Sequence, residues 1–402
     1  MAVRIVRQPK QIVLLGAPTS AAALAPGHEK APQALRVAGL TERLQAVGYS
    51  VADIGDDPVE FYKPDEESPR ARNLARVVAS LEALKPRVEA AVKTGGLALI
   101  LTGDCSSALA TVAGVRRYYR GASIVYMDCD ADLNVPATSP SGCVDGMVVA
   151  HLTGRGAAEM IRFWPEPPLV RDPDVALFGV GRLDAPEEGV LSRTAIRCFR
   201  AADIRRMGPV AAAEMAIERI HGGKNELVVH LDVDVISRED FDATDLPGEG
   251  GLRLDEVRQA LEVFAKHPRL AALEVAAYNP EKDVDGRGAK IIVELLASAL
   301  AARFEAQAKQ EAPAATTSVS AEPAKAESVA AAVNSAATET EKAAEAPASS
   351  AEAEKSVETN APESAPESRA NGSQQNEPQN ESQQNDSQQN GSPEHVTPAS
   401  GE

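Results

Sequence analysis

The run Asp128-Cys129-Asp130-Ala131-Asp132 follows an apolar segment at 122–127, and Asp232-Val233-Asp234 follows another at 227–231. Both segments have the length and composition of buried parallel strands. Alternation along a strand puts Asp128, Asp130 and Asp132 on one side, and Asp232 and Asp234 on one side. Five carboxylates crowded at strand ends repel one another unless protons or cations neutralise them. A pair of divalent metal ions does so, which makes the chain a candidate two-metal hydrolase. Asp residues also cap helices and fill turns. That plainer account explains one such cluster more easily than two on matching strands.

Outward from these runs, strands and helices alternate. Strands are expected at 12–16, 51–54, 97–101, 122–127, 175–180, 227–231 and 270–276. Helical spacing covers 32–47, 74–93, 106–119, 254–266 and 289–304, with Pro86 expected to kink or split the second of these. The pattern predicts a three-layer α/β/α domain around a central, mostly parallel sheet. Reactive groups in such sheets gather at the carboxyl ends of the strands. Asp104, Asp128 and Asp232 each sit just past an apolar strand, which points to one shared site.

Composition divides the 402 residues near position 305. Residues 306–402 hold no aromatic, Cys or Met, and carry 16 acidic and 5 basic residues, −11 of the net charge of −18. A segment rich in Ala, Glu, Ser, Gln and Asn buries too little apolar surface to offset its ordering entropy, so 306–402 reads as a disordered acidic tail. Residues 1–305 suit one large α/β domain. The acidity argues against nucleic acid and anionic membranes as partners. The first apolar run stops at Gly16-Ala17-Pro18, too short for a membrane span or signal core. Four cysteines in a chain this long form no disulfide framework, and a reducing cytoplasm is the expected location.

Carboxylate oxygens suit hard ions such as Mg²⁺ and Mn²⁺. Asp128 and Asp232 open their clusters and are natural bridges, with Asp130, Asp132 and Asp234 completing the shells. Cys105, after Thr102-Gly103-Asp104, is either inert packing or a thiolate ligand that shifts preference toward Zn²⁺ or Fe²⁺. The loop Ser141-Gly142-Cys143-Val144-Asp145-Gly146 is either a substrate wall with Asp145 as proton shuttle, or a turn into the next helix. Cys129 reads as core by strand parity. His230 shares the face of Asp232 but lies deeper in the sheet, and it reads as a core histidine, as does His151.

These motifs, in this order, resemble the arginase, agmatinase and formiminoglutamase family, the ureohydrolases. The family's Gly-Gly-Asp-His-Ser, Asp-Ala-His-x-Asp, Ser-Gly-Asn-x-His-Gly, Asp-x-Asp and Glu-Val-Asn-Pro are matched in turn. They correspond to Thr102–Ser106, Asp128–Asp132, Ser141–Gly146, Asp232–Asp234 and Ala277-Tyr278-Asn279-Pro280. The resemblance covers about residues 10–303. It implies two divalent ions, manganese foremost with zinc or iron as alternatives, and a bridging hydroxide that attacks a guanidinium or amidine carbon of a small molecule. It also implies a homo-oligomer, a trimer or hexamer. Asp128, Asp132, Asp232 and Asp234 match ligand positions, and Cys105 and Asp130 stand where the family has histidines. Asn134 and Ser141 match substrate positions, and Asp132 is implied to position the hydroxide. Asp145 stands for the shuttling histidine and Cys143 for an asparagine. Ala277 stands for the guanidinium-gripping glutamate, with Glu274 nearby as its expected replacement.

Three functions compete on these residues. The first is a metal-dependent hydrolase of a linear C–N bond in an amidine, guanidino or formimino compound. The second is a catalytically degenerate relative kept as a binding or assembly subunit. The third is an amide deacylase, which needs a group to polarise a carbonyl and finds only Tyr278.

Overall fold

The computed structural model describes residues 5–220 and 224–311. Of the tail read at 306–402, residues 312–402 lie outside them. Among the described residues the strands are β1 (Gln11–Ala17), β2 (Ser50–Asp56), β3 (Leu97–Thr102), β4 (Ala122–Met127), β5 (Val175–Val180), β6 (Arg197–Arg200), β7 (Glu226–Asp232) and β8 (Leu270–Ala276). They form one sheet in the order β2-β1-β3-β8-β7-β4-β5-β6. Every pairing is parallel, where a mostly parallel sheet was expected. The four central strands, β3, β8, β7 and β4, are buried along their whole length because helices cover both faces. Edge strand β6, Arg-Cys-Phe-Arg, was not foreseen: four residues flanked by charge carry too weak an apolar signal.

The helices are α1 (Ala31–Val37), α2 (Leu40–Val47), α3 (Leu74–Lys93), α4 (Ala108–Arg116), α5 (Val148–Leu152), α6 (Ala158–Ile161), α7 (Ala185–Leu191), α8 (Ala201–Met207), α9 (Pro209–Arg219), α10 (Leu254–Lys266) and α11 (Arg287–Glu311). The single helix read over 32–47 is two, because Gly39 takes φ 90° and ends the first. Helix α3 is not split at Pro86. Its stripe Val77, Leu81, Leu84, Val88 and Val92 is buried, whereas Pro86 is exposed. The carbonyl at Glu82 that loses its partner is therefore on the solvent side, where water satisfies it. The boundary placed at 305 falls inside α11, whose Ala306 and Ala308 continue the helix as good helix formers. No helix among the described residues is long and apolar enough to cross a membrane.

Candidate metal centre

The central strands deliver the site. Cys105 follows β3, Ala277 follows β8, Asp232 ends β7 and Asp128 follows β4, and these four strands are neighbours. Register aligns their ends: Met127 pairs with Leu231, and Asp232 with Ala276. The carboxylates are oriented by their own turns. Asp128 Oδ1 accepts the Asp130 N–H at 2.7 Å, and Asp232 Oδ1 accepts the Asp234 N–H at 2.7 Å.

Two groups of ligand atoms result. One atom each from Cys105, Asp128, His230 and Asp232 lie within 4.8 Å of one another, and so do one each from Asp128, Asp130 and Asp234. Asp128 belongs to both. Cys105 Sγ donates to Asp232 Oδ2 at 2.9 Å. His230 is fully buried, stacked on Tyr126 with ring centroids 4.3 Å apart. Its Nδ1 lies 2.9 Å from Glu274 Oε1, and its Nε2 has no partner. A buried imidazole nitrogen without a partner is costly. A metal ion would satisfy it, with the carboxylate behind fixing the tautomer. The donor set of thiol, imidazole and carboxylates suits a divalent transition metal.

Electrostatics point the same way. Burial, then Asp234 and Asp232, pushes the Asp128 carboxyl well above the usual range. Burial, then Asp234, does the same to Asp232. Burial and then Asp232 push the Cys105 thiol up. The cluster thus resists full ionisation until a cation enters.

Cys105, Asp128, Asp130, Asp132, Asp145, Ser141, Asp232 and Asp234 all line one cavity. Asp132 belongs to neither ligand group. It has φ 51°, and its Oδ2 accepts the Tyr126 hydroxyl. Asp145 Oδ1 accepts the Cys105 N–H at 2.7 Å, tying the loop to the β3 end. Ser141 Oγ accepts the Cys143 N–H at 3.1 Å.

Other expectations need correction. Asn134 does not line the cavity; its Nδ2 donates to Asp184 Oδ2 at 2.9 Å. Glu274 does not reach the space beside Ala277. It pairs in register with His230 inside the sheet, and its other oxygen accepts from Thr111. Tyr278 is turned away, donating to Asp283 Oδ2 at 2.6 Å, so the deacylase reading loses its only polarising group. Asp104 is structural: its carboxylate caps the turn at Ser106 and accepts from Thr19 and Ala22. Cys129 is buried as core, its Sγ 3.7 Å from the Glu249 carbonyl.

His28, Thr244 and Asp245 also stand on the cavity wall, where nothing in the sequence announced them. Thr244 and Asp245 come from an aperiodic loop and His28 opens a single 3-10 turn, none of which a strand or helix pattern marks. His28 is buried and neither ring nitrogen makes a hydrogen bond; Nε2 lies 3.6 Å from Asp245 Oδ1. Burial opposes ionisation of Asp245, but His28, Lys282 and Asn279 outweigh it and hold the carboxyl below its ordinary value. For His230 the signal was present in its strand parity with Asp232, and its burial concealed it.

The model of the arginase family matches residues 10–302. The arginase of Bacillus caldovelox is 29% identical over 291 residues, covering 72% of this chain and 97% of its own. That of Bacillus subtilis is 29% identical over 293 residues, covering 72% and 98%. The solved Bacillus caldovelox arginase superposes with TM-score 0.67 at 28% identity, over 72% of this chain and 98% of that one. Formimidoylglutamase from Bacillus subtilis shares the fold, with TM-score 0.60 at 17% identity over 75% and 88%. The chain belongs to the arginase family.

Proposed function

We propose that this chain is a metal-dependent hydrolase of a C–N bond in a small, linear guanidino, amidine or formimino compound. The family's members are binuclear manganese hydrolases. The observation that carries the reading is the convergence of Cys105, Asp128, His230 and Asp232 at the centre of the sheet's carboxyl edge, with the His230 Nε2 unpartnered. These four would hold one ion, and Asp128, Asp130 and Asp234 would hold the other. When bound, the ions supply Lewis acidity and make water nucleophilic near neutral pH.

The remaining residues serve substrate and proton. Burial, then Asp104, pushes the Asp145 carboxyl well above the usual range, which favours the protonated form that can give a proton to a leaving nitrogen. Asp132 is likewise raised by burial, then by Asp145, with the Tyr126 hydroxyl fixing its orientation. Asp245 stays ionised, and its Oδ2 has no partner. It is the carboxylate available to a cationic substrate, since Ala277 offers none.

A manganese-loaded full chain should release urea, formamide or ammonia from at least one member of a guanidino, amidine and formimino panel. Two bound ions without turnover on any member would favour the binding-subunit alternative. Failure to bind Mn²⁺, Zn²⁺ or Fe²⁺ at all removes the reading.

His230→Ala should weaken binding of the first manganese ion by at least about 100-fold, the upper end for supporting groups that are not ligands themselves. Calorimetric titration of the metal-stripped variant, with its fold checked by circular dichroism, measures this. Unchanged affinity would return His230 to a purely core role.

A further inference from the structure

The two ligand groups are not equivalent, because one of them already holds a cation. Arg182 follows β5, and its backbone N–H donates to the Cys129 carbonyl at 2.8 Å, placing it beside the Asp128–Asp132 run. Its Nε donates to Asp130 Oδ1 at 2.9 Å and its Nη2 to Asp130 Oδ2 at 2.8 Å, the bidentate fork of a guanidinium on a carboxylate. Nη2 also donates to Asp234 Oδ2. On the far side Nη1 donates to the Pro247 carbonyl at 3.1 Å, so the guanidinium is held from the loop as well. Both oxygens of Asp130 are engaged. Asp234 is engaged through Arg182 on one oxygen and the Cys129 N–H on the other. No arginine touches Cys105, His230 or Asp232 among the described residues.

We propose that Arg182 is a built-in cation at the second metal position, so that the centre loads in sequence. The first ion enters the Cys105, Asp128, His230 and Asp232 group by displacing protons, with no side-chain cation to displace. The second must share Asp130 and Asp234 with the guanidinium, or displace it. Two carboxylates facing one fixed positive charge are already partly neutralised, so a divalent ion there gains less than at the first position. Arg182 thereby sets how much metal is needed for a complete pair. The proposal rests on the metal-hydrolase reading of the site and concerns its occupancy.

The test is a Mn²⁺ titration of the metal-stripped full chain by calorimetry. Ions retained after desalting are counted by elemental analysis, and low-temperature electron paramagnetic resonance separates isolated from spin-coupled manganese. The wild type should bind one ion tightly and the second at least about tenfold more weakly, as expected for a competing charged hydrogen-bonded pair. Arg182→Gln should tighten the second step by about tenfold or more while leaving the first within a few-fold, and the coupled signal should appear at lower total manganese. Arg182→Lys, which keeps charge but cannot form the fork, should fall between them and serves if the glutamine variant does not fold. Equal affinity of the two wild-type steps, or a second step unmoved in both variants, overturns the proposal and leaves the metal-hydrolase reading standing. Absence of manganese from all three proteins removes both.

Discussion

Asp232→Asn should abolish tight manganese binding and the proposed turnover while raising the melting temperature of the metal-free chain. The two effects have opposite signs because one carboxylate serves opposing ends. With metal, Asp232 would be a ligand in the proposed group with Cys105, Asp128 and His230, and its loss should cost at least about 100-fold in affinity, the upper end for supporting groups that are not ligands themselves. Without metal, its carboxyl is disfavoured by burial and by Asp234, so a neutral amide of the same shape relieves strain. The Asp234 N–H keeps its acceptor, because asparagine retains an oxygen at that position. A gain of about 1 kcal/mol corresponds to roughly 1.5–2 °C in a domain of this size. Thermal melts in chelator and calorimetry with Mn²⁺ read the two halves separately. A variant that is less stable without metal, or that binds manganese as the wild type does, contradicts the account.

A second large effect is the reversal of the pH dependence of stability on metal loading. In the metal-free chain, burial and neighbouring carboxylates raise Asp128, Asp132, Asp145 and Asp232 above the ordinary value of 3.8. A carboxyl raised in the folded state binds more protons folded than unfolded between its two pKa values. Stability contributed by these groups is therefore present below the ordinary carboxylate pKa and lost as pH rises toward the folded values. The metal-free chain should melt at lower temperature at pH 8 than at pH 6, the four carboxyls outweighing the buried His28 and His151, whose lowered pKa values act in the opposite direction. With manganese the order reverses, because ligands must deprotonate to bind and affinity rises with pH. Melting temperatures at both pH values, in chelator and in excess manganese, measure this. A metal-free chain whose melting temperature rises from pH 6 to pH 8 would show that the cluster does not govern it.

Much of this architecture was legible in the chain. β4 over Ala122–Met127, β5 over Val175–Val180 and β8 over Leu270–Ala276 matched the expected ranges, and β3 and β7 differed by one residue at one end or both, because uninterrupted apolar runs bounded by Gly or Asp carry a strong signal. The carboxylate runs at 128–132 and 232–234 were legible for the same reason. What stayed hidden depended on neighbours distant in sequence. Glu274 looked like a substrate residue by its place near Ala277, yet cross-strand register sets it beside His230. Tyr278 looked available until its hydroxyl was found on Asp283. His28 and Asp245 are more than 200 residues apart and meet only across the cavity mouth.

By itself the sequence determined the parallel sheet and the placement of Cys105, Asp128 and Asp232 at strand ends, because burial and side-chain alternation are local properties. Only the tertiary structure decided which atoms face one another. It gave His230 a carboxylate on one nitrogen and none on the other, and it set Arg182 on Asp130 and Asp234. Strand order and register bring β7 beside β8 and lay the β5 loop against the β4 end. Those pairings are global choices, which no stretch of sequence specifies alone.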